Sequence, residues 1–159
     1  MKTGHRQSVS RRQARVFALK LLYAMEITKQ PVGECVGGIL DSLREVSDKE
    51  LPVRMKRYGM SLVDLIQEHR SELDAIISER AEGWDLDRMA TLDKIVLYIA
   101  LTELQYESDI PVKVAIEEAV QISKKYSTKD SPRFINGILN QYSRNKGILS
   151  SDDNAEGKQ

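Results

Sequence analysis

Between Thr91 and Tyr106 the chain sets apolar side chains all round a helical wheel, with Leu92, Ile95, Val96, Leu97, Ile99, Ala100, Leu101 and Leu104 in one segment. A helix with so little polar surface must be covered by other elements. The segment is therefore expected to be the central helix of a bundle in the second half of the chain. No run reaches the roughly eighteen consecutive apolar residues of a membrane span.

The other segments repeat the helical period with one apolar face each. Ser10 to Lys29 places Ala14, Phe17, Ala18, Leu21, Leu22 and Met25 at spacings of three, four and seven. Ser10 and Gln13 are spaced as a capping box, which sets the expected helix start at Ser10. Pro31 ends that helix, and a weaker one is expected over Glu34 to Val46. A third helical region begins near Pro52 and runs to Glu68, followed by Ser71 to Ala81; a break near His69 is left open. Gly83, Trp84 and Asp85 mark the junction between the halves. Val112 to Tyr126 follows Pro111 at a helix start, and Ser131-Pro132 reads as an N-cap followed by proline at the first helical position. The last helix buries Ile135, Ile138, Leu139 and Tyr142. The expected fold is all-α, two packed three-helix-like bundles. Its parts are a flexible basic tail over 1–9, bundles over 10–83 and 84–149, and a disordered polar tail over 150–159.

Charge is distributed unevenly. The 159 residues carry 24 Lys and Arg against 24 Asp and Glu, a formal net charge of +0. Yet Met1 to Lys20 holds Lys2, Arg6, Arg11, Arg12, Arg15 and Lys20 with no acid. A polyanion feels that local field although the average is zero. Arginine offers a planar donor fork that matches phosphate oxygens. Arg6, Arg11, Arg12 and Arg15 are the leading phosphate candidates, with Lys2 in support. At a helix N-terminus these cations oppose the dipole, a local conflict that argues for a use. A disordered arginine tail beside a helix suits single-stranded or irregular RNA, and Tyr23, Tyr98, Tyr106 and Phe134 are possible stacking platforms. Phe134 lies on the border of the last helix's buried face, with Arg133, Asn136 and Gly137 turned outward.

Catalytic chemistry finds little support. His5 sits in the tail, and His69 stands among Gln67, Glu68 and Arg70 without a ligand set. Neighbours Glu117 and Glu118 diverge on a helix by about 100° and share no target. The lone Cys35 excludes an internal disulfide and a thiolate metal cluster, and fits a reducing cytoplasmic compartment. No phosphate-binding glycine loop is present. No metal, cofactor or enzymatic role is expected. The competing reading is a protein-interaction module, without RNA binding, whose basic end docks an acidic partner.

Four stretches resemble the NusB family of transcription antitermination proteins. They are Arg11-Arg12-Gln13-Ala14-Arg15 with Leu21-Leu22-Tyr23-Ala24, Asp93 to Leu97 with Ala100 to Leu104, Ile110-Pro111 with Val114 to Val120, and Ser131 with Phe134 to Leu139. The resemblance spans about residues 10 to 142. It implies an all-helical fold of two bundles that binds boxA-type, single-stranded RNA of nascent ribosomal transcripts together with NusE, a small-subunit ribosomal protein. Other Nus factors and RNA polymerase would be reached indirectly, with no membrane involved. By the same resemblance the arginine-rich start, Asp130, Arg133 and Phe134 correspond to RNA contacts, while Asp93 and, more weakly, Glu103 correspond to the NusE face. Tyr98 stands where the family commonly has arginine, and Glu117 where it has asparagine.

Overall fold

The computed structural model describes residues 2–47, 51–81, 83 and 85–149, with side chains from residue 11 onward except 46 and 47. Every regular element among them is helical: α1 (Lys2–Thr28), α2 (Val32–Ser47), α3 (Val53–Glu68), α4 (Arg70–Arg80), a 3-10 turn (Leu86–Arg88), α5 (Thr91–Tyr106), α6 (Val112–Tyr126) and α7 (Ser131–Asn145). The chain divides into two compact units, Met1–Glu68 and His69–Gln159.

In the first unit α1 packs on α2 and α3. α1 buries Ala14, Phe17, Ala18, Leu19, Leu21 and Leu22. α3 answers with Leu62, Val63 and Ile66. The helices approach closely at Gly59, where a Cβ would lie 2.6 Å from Phe17 Cδ1 and 3.0 Å from the Ala14 carbonyl oxygen. No larger residue fits there without displacing the Phe17 ring. α2 is held more loosely: its described side chains are half-buried or exposed, and Gly33, Gly37 and Gly38 have open space where a Cβ would stand. α1 closes with Lys29 in the left-handed region at φ 57°, a position that glycine fills more readily. The expected capping box at Ser10 does not start this helix, because α1 runs from Lys2. The flexible tail expected over 1–9 is helical backbone from residue 2. Arg11, Arg12 and Arg15 thus lie well inside a helix, and the opposition to the dipole inferred for its first turn does not apply to them.

In the second unit α5 is the centre, packed by α4, α6 and α7. From Ile95 to Glu103 every residue is buried, as its apolar pattern requires. α6 and α7 pack on each other, burying Ala115, Ile116, Ala119 and Ile122 against Ile135, Ile138, Leu139 and Tyr142. α4 belongs to this unit, whereas the expected junction at residue 83 assigned it to the first. The chain breaks at His69, between α3 and α4, and the His69 ring stacks on Tyr106 at 5.2 Å. Leu73 and Ile77 form the buried face of α4. Arg80 donates to Asn145 Oδ1 at 3.3 Å and lies 5.3 Å over the Tyr142 ring, which ties the end of α4 to α7.

Candidate nucleic-acid interface

The candidate residues fall on both units. In the first, α1 orders the arginines by its period. Arg12 is exposed and Arg11 half-buried. Arg15 is only 2% exposed, so it is a buried residue and not a surface phosphate contact. The reason is geometric: Arg15 precedes Ala18, Leu19 and Leu22 by three, four and seven, which puts it on the packed face of α1. That spacing is legible in the sequence once Leu19 joins the apolar stripe. The side chains of Lys2 and Arg6 lie outside the described residues. Tyr23 is 40% exposed on the same helix, more open than a core tyrosine.

In the second unit the loop between α6 and α7 meets the start of α5. A cavity of about 250 Å³ opens there, and Asp93, Asp130 and Phe134 all line it. Arg88 from the 3-10 turn and Met89 just after it, with Thr128 and Ser131, complete most of its wall. Phe134 is half-buried, while Asp130 and Arg133 are exposed. Phe134 sits one turn into α7, its amide bonded to the Asp130 carbonyl at 3.3 Å. An aromatic face partly open to a cavity and rimmed by polar groups is a stacking surface for a planar ligand.

The loop itself is held by hydroxyls. The Ser127 hydroxyl donates to Asp93 Oδ1. Ser131 donates to Ser127 Oγ at 3.0 Å, and Thr128 Oγ1 lies 2.7 Å from Ser131 Oγ. The Thr128 amide donates to the same Ser131 oxygen at 3.2 Å. Ser131 is therefore the first residue of α7 and turns its hydroxyl back into the loop; Asp130 takes the N-cap position without a side-chain capping bond. The expected Ser131 cap was displaced by one residue.

The two acids expected at a protein-partner face lie inward instead. Glu103 is 1% exposed in the last turn of α5, and Asp93, in the first turn, is 7% exposed and accepts from Ser127. Burial of nearly the whole α5 surface accounts for both. Tyr98, a possible stacking platform, is also buried; its hydroxyl donates to Asp74, and the Arg70 guanidinium stands 5.2 Å from its ring centre. Tyr106 is engaged with His69. Of the aromatic candidates, Phe134 alone borders the cavity. Sequence reasoning missed Arg88, Met89, Ser127, Thr128 and Ser131 as parts of this surface. The 3-10 turn has no period to read, but hydroxyls at 127, 128 and 131 around Asp130 are a loop-bonding signal.

The sequence profile of the NusB family matches residues 12–144. Among relatives, the transcription antitermination protein NusB of Chloroherpeton thalassium is 36% identical over 144 residues; the match covers 89% of this chain and 66% of that protein's length. NusB of Thermoanaerobacter sp. (strain X514) is 36% identical over 146 residues, 92% of this chain and 99% of that protein. A crystal form of T. maritima NusB superposes with a TM-score of 0.74 at 32% identity, covering 84% of this chain and 90% of that one. A complex of the antitermination factors NusB and NusE with dsRNA superposes with a TM-score of 0.71 at 25% identity, covering 86% of this chain and 97% of that one. A family profile matched over residues 12–144, relatives 36% identical over about nine-tenths of the chain and an all-helical fold shared with solved NusB structures show one thing: the chain belongs to the NusB family.

Proposed function

We propose that this chain is an RNA-binding adaptor of transcription antitermination, engaging boxA-type RNA of nascent ribosomal transcripts together with NusE in the bacterial cytoplasm. It acts without catalysis, and contacts other Nus factors and RNA polymerase through that complex. The observation that carries the reading is the cavity beside Phe134 and Asp130, at the start of α7, in a chain whose relatives are named antitermination proteins. Phe134 supplies the stacking face. Arg133 supplies charge beside it, and Asp130 an acceptor for base or ribose donors. On α1, Arg12 and Arg11 supply phosphate contacts, with Lys2 and Arg6 assigned to the same task from sequence. Arg15, being buried, holds α1 and is not part of the contact set.

The experiment is fluorescence anisotropy with a uracil-rich single-stranded RNA and with a duplex of the same sequence, each with and without NusE. Binding is expected to be weak for the isolated chain and tighter with NusE. Phe134→Ala should lower affinity about fivefold or more, since base stacking on an aromatic is worth about 1–3 kcal/mol. If neither RNA binds in either condition while an acidic protein partner does, the chain is a protein-docking module and the RNA reading fails.

A further inference from the structure

Asp93 corresponds by resemblance to a partner-contact position, yet its carboxylate is turned into the fold. We infer that Asp93 is a positioning residue for the RNA surface: it anchors a one-way chain of hydroxyls that fixes the α6–α7 loop and thereby the Asp130 and Phe134 wall of the cavity. The inference rests on the RNA reading given above.

The direction of the chain follows from donor counting. A carboxylate only accepts, so the Ser127 hydroxyl spends its single proton on Asp93. Ser127 Oγ is then an acceptor, and Ser131 donates to it at 3.0 Å. Ser131 has no proton left, so Thr128 must donate to Ser131 across their 2.7 Å contact. The Thr128 amide adds a second donor to Ser131 Oγ at 3.2 Å. Every proton therefore points toward Asp93, which terminates the chain.

This chain spans the elements that form the cavity. Asp93 belongs to the first turn of α5, Ser127 follows α6, and Ser131 opens α7. The Ser131 amide also returns to the Thr128 carbonyl at 3.2 Å, closing a tight turn. Phe134 is one helical turn beyond Ser131, so the hydroxyls that seat the start of α7 also set where its ring stands. Asp93, Thr128 and Ser131 border the cavity themselves. Thr128 and Ser131 bond to each other, and Ser131 reaches Asp93 through Ser127, which holds the wall in one arrangement before a ligand arrives and lowers the ordering cost of binding.

A charged contact to a partner protein would need the negative charge of Asp93; a positioning role needs only its acceptor oxygen. The test uses the full chain in complex with NusE, titrated with the uracil-rich single-stranded RNA at several salt concentrations. Asp93→Ala and Ser127→Ala are each expected to weaken RNA binding about five- to tenfold, the scale of one lost internal hydrogen bond. The salt slope should stay unchanged, because no phosphate contact is removed. Asp93→Asn and Ser127→Thr, which keep an acceptor and a hydroxyl, should restore most of the loss, and NusE binding measured without RNA should match the parent. Melting of each variant separates a seated loop from an unfolded chain, and the Ser127 pair decides if Asp93→Ala does not fold. Asp93→Asn as damaging as Asp93→Ala would overturn the inference in favour of a charged contact. Normal RNA affinity in Asp93→Ala and Ser127→Ala, with Phe134→Ala defective, would overturn it while leaving the RNA surface in place. Normal affinity in all three would remove the RNA surface and the inference together.

Discussion

Tyr98 sits in the middle of α5, with its ring under the Arg70 guanidinium and its hydroxyl bonded to Asp74 on α4. Burial pushes its pKa well above the usual tyrosine value, the Asp74 hydrogen bond and negative charge push the same way, and Arg70 opposes them. The folded state therefore holds this proton more tightly than the unfolded chain does. That contribution is whole below about pH 10, the ordinary tyrosine range, and is lost as pH rises through the higher folded value. Tyr98→Phe should cost about 1–2 kcal/mol at neutral pH by leaving Asp74 without its donor. The variant should also lose less stability than the parent between neutral pH and strongly alkaline conditions; denaturant melts at both would show it. At this scale the sequence was least legible. Arg15 and Tyr98 look like surface chemistry when taken singly, because a residue's type says how it can bond and not which way it faces. Arg15 could have been placed from its spacing to Leu19 and Leu22, but the bond between Tyr98 and Asp74 joins two helices and leaves no local trace.

Helices were the legible level. The apolar patterns of α5 and α6 placed both over the residues they occupy, since a buried stripe must repeat near 3.6 residues whatever it packs against. The start of α1 is not legible, because residues 2 to 9 have no apolar period and the capping signal at Ser10 marks a later start. The cavity was legible only in part: Asp130 and Phe134 lie in one motif, but Arg88 and Met89 come from a turn distant in sequence. Two predictions belong to elements. Gly59→Leu drives side-chain atoms into the Phe17 ring and the Ala14 carbonyl, and should cost about 2–3 kcal/mol as overpacking, read as a lower Tm. Lys29→Gly relieves a left-handed backbone at the end of α1. It should raise stability by about 1 kcal/mol, reduced a little by loss of the exposed 3.3 Å ion pair to Glu26.

For the molecule as a whole, zero formal charge means that attraction to RNA has to come from local groups and not from a general field. Joint replacement of Arg11 and Arg12 by alanine should flatten the dependence of log affinity on log salt by about 1.4 for a single strand, roughly 0.7 per phosphate contact. An unchanged slope in the titration would remove both arginines from the contact set. Stability is uneven in the same way. α2, with its half-buried side chains and open glycines, has the least to lose on separating from α1. Its amide protons should trade for deuterium through small local openings while those of α5 wait for global unfolding. One stretch of the first unit can then come loose and re-form many times within the lifetime of the native state.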